Sequence, residues 1–81
     1  MPRFLDHHVT TPLPPEAVSM IKAQLGNRQP DGVTPIQVMV GKEQTYCLAD
    51  AENASLVHKH HEAMGITLGP GDVEEVTATL P

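Results

Sequence analysis

The feature that most constrains this chain is an alternation of patterns: two helical stretches, each set between runs that alternate every second residue. Arg3 to Val9 is a short run that stops at Thr10-Thr11-Pro12-Leu13-Pro14-Pro15, a cluster of turn formers that ends a strand. From Glu16 onward, Ala17, Val18, Ile21 and Leu25 recur at helical spacing, which predicts an amphipathic scaffold helix closed by Gly26-Asn27 and packed on a sheet. Ile36, Val38 and Val40 alternate against Gln37 and Met39 for a second strand. Gly41 to Gln44 makes a hairpin connection and Thr45 to Asp50 a third strand. A helix within Ala51 to Gly65, a Gly-Pro-Gly turn at 69–71 and a last strand from Val73 to Leu80 complete the order βαββαβ.

That order predicts an α+β ferredoxin-like sandwich, a four-stranded antiparallel sheet with two helices on one face. Right-handed crossovers put strands one and three side by side in the middle. The 81 residues make one domain, 1–81, small enough that oligomerisation is expected to help its stability.

Ten acidic against five basic residues give a net charge of −5, which leaves no basic patch for nucleic acid or for an anionic membrane surface. The N-terminus lacks the apolar run of a signal peptide and no stretch is long enough to span a bilayer, so the expected location is cytoplasmic. One Phe, one Tyr and no Trp leave the core to aliphatic side chains. Cys47 is the sole cysteine, so neither an intramolecular disulfide nor a paired-cysteine metal motif exists.

Three of the five histidines, His58, His60 and His61, fall within four residues of the second helical stretch, and His7-His8 lie on the first strand. Plotted at helical angles, Leu56, Val57, Ala63 and Met64 make an apolar stripe with His60 in its middle, so His60 is expected to point inward. His58 and His61 share a flank, at a spacing that lets two imidazoles reach one ion. On strand one, Leu5, His7 and Val9 take one side and Phe4, Asp6 and His8 the other.

With the bulky set Leu5, Ile36, Val38, Val40, Tyr46 and Leu48 assigned to the helix side, His7 lies near His60. Asp6, His8 and Cys47 then occupy the open face beside Phe4 and Met39, an apolar surface suited to a homodimer interface. For His8 and His60 to share an ion, strand one must curl or a second subunit must supply a ligand. Neutral imidazoles with a carboxylate, with or without a thiolate, are the usual set for nickel, zinc or copper(II). Cys47, on the small-residue side of its strand, is expected to matter less than the histidines.

Phe4-Leu5-Asp6-His7-His8, Tyr46-Cys47-Leu48-Ala49-Asp50-Ala51 and His60-His61-Glu62-Ala63-Met64-Gly65, followed by Glu75-Val76, resemble the small bacterial nickel-binding family DUF4242. In that family a D-x-H strand, an F-C-L-x-D-A strand and an H-x-E-A-x-G helix occur in this order. The resemblance implies a ferredoxin-like homodimer that holds a transition metal, nickel foremost, and carries over to Asp6, His8, Cys47, Asp50 and His60.

The sequence thus favours a non-catalytic metal-binding protein acting as buffer, carrier or sensor. Its candidate ligands are His8, His60, Asp6, Cys47, His61, His7 and His58, with nickel ahead of zinc or copper. One alternative is a small dimeric alpha-beta barrel-type enzyme or small-molecule-binding module that uses a buried His. Against an enzyme, no nucleophile has an evident base partner and no phosphate-cradling loop is present. The other alternative is a plain interaction module without metal.

Overall fold

The computed structural model describes residues 1–80. Strand β1 (Arg3–Val9), helix α1 (Pro15–Gln24), strands β2 (Thr34–Val40) and β3 (Gln44–Asp50), helix α2 (Ala54–Glu62) and strand β4 (Val73–Val76) follow one another in the expected order. The strands form one sheet, β2-β3-β1-β4, with every neighbouring pair antiparallel. This is the ferredoxin-like α+β arrangement that the order of elements predicts. Strand β4 is shorter than expected because Val76 already faces Arg3, the first residue of β1, and beyond it no strand remains to pair with.

On β1 and β3 the two faces are the reverse of the sequence expectation, whereas on β2 Val38 and Val40, paired with Cys47 and Thr45, lie on the helix side and Met39, paired with Tyr46, on the open face, as expected. Across β1 and β3, Phe4 faces Ala49, Asp6 faces Cys47 and His8 faces Thr45. Phe4 and Ala49 are buried in the core with Val33, Ala51, Leu68 and Val57 of α2. The helices therefore cover Phe4, Asp6, His8, Thr45, Cys47 and Ala49, and the open face carries Leu5, His7, Val9, Tyr46 and Leu48. Alternation separates two faces without saying which is covered. Here the packing decides: Phe4, Ala49 and Ala51 share one buried cluster with Val57 of α2, and α2 approaches the sheet most closely at β4.

Local signals fix the elements around that core. Asn53 caps α2, its side chain accepting from the Leu56 N–H at 3.1 Å, which satisfies one of the first-turn donors. The β2–β3 hairpin turns at Gly41, whose N–H donates to the Gln44 carbonyl at 2.8 Å. A Cβ at that position would run into the same oxygen.

Helix α1 starts on Pro15, where a missing N–H costs nothing, but it does not become the packed scaffold helix expected. It carries no buried side chain and packs closely against no other element. A cavity of about 800 Å³ lies between α1, the sheet and α2. No helix among the described residues is long and apolar enough to cross a membrane.

Candidate metal centre

The face reversal brings together residues that the expected arrangement kept apart. Asp6 and His8 of β1, Cys47 of β3 and His61 of α2 each offer a ligand atom within 4.8 Å of the others. Asp6 and His61 are fully or nearly buried, at 0% and 4% exposure. The backbone sets this up: Asp6 and Cys47 are register partners, and His61 follows the buried Val57 by one helical turn.

Both histidines are oriented by the main chain. His61 Nδ1–H donates to the Val57 carbonyl at 2.9 Å and His8 Nδ1–H to the Val9 carbonyl at 3.1 Å. A carbonyl can only accept, so each neutral ring carries its proton on Nδ1 and presents an Nε2 lone pair, the arrangement commonly found in metal-ligating histidines. The two rings stand edge to face with centroids 5.7 Å apart.

Asp6 is the electrostatic centre of the cluster. Neither of its carboxylate oxygens has a hydrogen-bond partner among the described residues. Its Oδ1 lies 3.1 Å from His61 Nε2, at ion-pair distance but not aligned as a hydrogen bond. Burying a carboxylate without donors is costly unless a positive charge accompanies it. Burial alone pushes the His61 pKa down, but the neighbouring Asp6 carboxylate outweighs it and holds the value above that of an ordinary imidazole. Burial, reinforced by the same carboxylate, pushes the Cys47 thiol up to about 12, so the thiol stays protonated until a cation compensates the charge. A divalent ion among these four groups would compensate Asp6, take up the free Nε2 lone pairs and stabilise the thiolate. The donor set fits a borderline transition metal.

The remaining candidates stand elsewhere. His60 points inward, with a side chain only 12% exposed, but it is outside the cluster: its Nδ1 pairs with Asp31 Oδ2 at 2.5 Å, and Asp31 Oδ1 accepts from the Val33 N–H at 3.0 Å. This pair ties α2 to the loop before β2. Burial raises the Asp31 pKa, but its hydrogen bonds to His60 and Val33 outweigh that and leave it below an ordinary carboxylate. His7 lies on the opposite face of β1, with Nδ1–H directed at Gln44 Oε1 (3.4 Å) and Nε2 3.6 Å from Asp72 Oδ1. His58 is half-buried and outside the cluster. Asp50 accepts from Arg3 Nε at 2.7 Å and Nη2 at 3.1 Å, a bidentate pair that holds its pKa down.

That His61 is buried more deeply than His60 follows because Ala63 and Met64, counted into the apolar stripe, lie beyond the last residue of α2, Glu62. Without them the stripe is Leu56 and Val57. One turn on from the fully buried Val57 is His61, and one turn on from the half-buried Leu56 is His60.

A family model described as nickel responsive protein SCO4226-like matches residues 4–69. The chain belongs to that family. The match keeps the association with nickel and gives the family under this description rather than as DUF4242. No curated protein and no solved structure matches the chain. The matched residues include Asp6, His8, Cys47 and His61.

Proposed function

We propose that this SCO4226-like protein binds a nickel-type transition metal through Asp6, His8, Cys47 and His61, and acts in the cytoplasm as a metal buffer, carrier or sensor. The observation that carries the reading is Asp6, a fully buried carboxylate with two unpartnered oxygens, facing a histidine whose other nitrogen is already tied to the backbone. Nickel leads because the matched family is described as nickel responsive; zinc and copper suit the same donors. A homodimer through the open sheet face is part of the proposal. Val9, Met39 and Tyr46 are 67%, 42% and 41% exposed there, a bare apolar surface on a small chain.

Equilibrium dialysis with nickel and X-ray absorption at its edge, on protein made without a histidine tag, test the site. The expected result is one ion per chain with nitrogen, oxygen and one sulfur neighbour, lost in Asp6→Ala and in His8→Ala. Binding weaker than about 1 mM, or binding that neither substitution changes, contradicts it.

A further inference from the structure

Four ligand-type side chains run in file from the surface to the buried carboxylate. Asp31 Oδ2 pairs with His60 Nδ1 at 2.5 Å, the His60 and His61 rings stand edge to face with centroids 5.8 Å apart, and His61 Nε2 lies 3.1 Å from Asp6 Oδ1. Side-chain exposure falls along the file from 38% at Asp31, through His60 and His61, to 0% at Asp6. Asp31, His60 and His61 line the cavity of about 800 Å³ together with His8 and Cys47, whereas Asp6 does not. The cavity is therefore the side from which solvent reaches the donor cluster, and the buried Asp6 closes its back.

His60 is made ready as a ligand without belonging to the cluster. A carboxylate can only accept, so the neutral ring carries its proton on Nδ1, toward Asp31, and presents an Nε2 lone pair that has no partner among the described residues. A carboxylate behind an imidazole is the partner that fixes the tautomer of many metal-ligating histidines. Asp31 itself is held below an ordinary carboxylate and is charged at neutral pH, which puts an anionic group at the exposed end of the file, where a cation arrives.

We infer that His60, oriented by Asp31, is the transit ligand of the site: a transition-metal ion entering or leaving through the cavity passes over its Nε2 on the way to or from His61. This role rests on the metal reading and concerns how fast the site exchanges its ion, not how tightly it holds it. A side chain that binds the ion only in passage lowers the barrier in both directions and leaves the end states alone.

Equilibrium dialysis of the full chain against nickel gives the dissociation constant. Transfer of nickel from the loaded chain to excess pyridylazoresorcinol, followed by absorbance, gives the release rate, and the two together give the rate of entry. His60→Ala and His60→Phe are expected to release nickel about ten-fold more slowly than the wild type while the dissociation constant stays within about two-fold, so that entry slows by the same factor. His60→Phe keeps a ring and removes both nitrogens, which separates ligation from obstruction. Asp31→Ala frees the imidazole to turn and is expected to slow release about three-fold. His58→Ala, outside both the cluster and the cavity lining, is expected to match the wild type.

Release at the wild-type rate from both His60 variants overturns the inference and leaves the metal reading standing. Faster release from His60→Ala would make the ring a plug, and a dissociation constant raised about ten-fold or more would make it a resident ligand; either result also overturns it. Failure of the wild type to bind nickel in the dialysis counts against the metal reading itself, and against this role with it.

Discussion

The two helices cover the same face of one sheet and do opposite things there. Helix α2 is capped by Asn53, buries Val57 against Phe4 and Ala49, and places His61 within the cluster around Asp6. Helix α1 has a stripe of apolar residues of similar length and buries none of them. The contrast teaches that an amphipathic pattern states what a helix can pack, and that the sheet's own side chains decide how closely it does. Beneath α2 a large ring meets small residues; beneath α1 lies open volume that ends at the candidate donors. Stability and site chemistry are thus concentrated on the α2 side, and the α1 side is left to contribute the wall of a pocket.

The sharpest way to break that contrast is to truncate one apolar side chain on each side. Phe4→Ala is expected to cost about 3–5 kcal/mol, as for other buried aromatic rings. Ile21→Ala on α1 is expected to cost less than about 1 kcal/mol. Urea denaturation of the two variants measures both, and comparable losses would mean that α1 is packed after all.

A smaller effect, of opposite sign, is expected at Asp6. In metal-free protein at pH 8, Asp6→Asn exchanges a buried, donor-starved carboxylate for an amide that can donate to His61 Nε2. The expected gain is about 1–2 kcal/mol in the denaturation free energy, together with a loss of at least about ten-fold in nickel affinity. A variant that is destabilised without metal would show that Asp6 has partners the geometry does not provide.

Smaller still is a pH effect. Asp6 holds the folded-state pKa of His61 above its ordinary value, so the folded protein retains that proton more readily than the unfolded chain does. The resulting stabilisation is fully present below the unfolded value of about 6.5 and is lost as pH rises through the folded value. Metal-free wild type is therefore expected to lose stability as the pH rises above about 6.5, whereas the slope is reduced in Asp6→Asn. Parallel slopes in the two proteins would remove Asp6 as the cause.

The order of elements was legible because each strand and helix is bounded by its own punctuation, as at Thr10 to Pro15 and at Gly41. The face of the sheet was not legible. Alternation pairs Phe4 with Asp6 and His8 but is silent on burial, and side-chain bulk at Tyr46 and Leu48 pointed to the wrong side. The same silence affected α2, where the phase of the helix turned on whether Ala63 and Met64 lie inside it. They do not, and the fully buried histidine that joins the cluster is His61 rather than His60. Asp6, His8, Cys47 and His61 could each be named as candidates from residue chemistry. That they lie together depends on a register and a helix phase that only the folded chain supplies.

In the proposed site the ion is held at His61 and Asp6, and His60 belongs to the Asp31 contact. Nickel affinity of His61→Ala measured beside that of His60→Ala tests it most directly, because the two residues are neighbours in sequence and differ in what they face. A loss of at least about a hundred-fold is expected for His61→Ala and a change within about two-fold for His60→Ala. The reverse order, or two variants that both bind as tightly as the wild type, would contradict it.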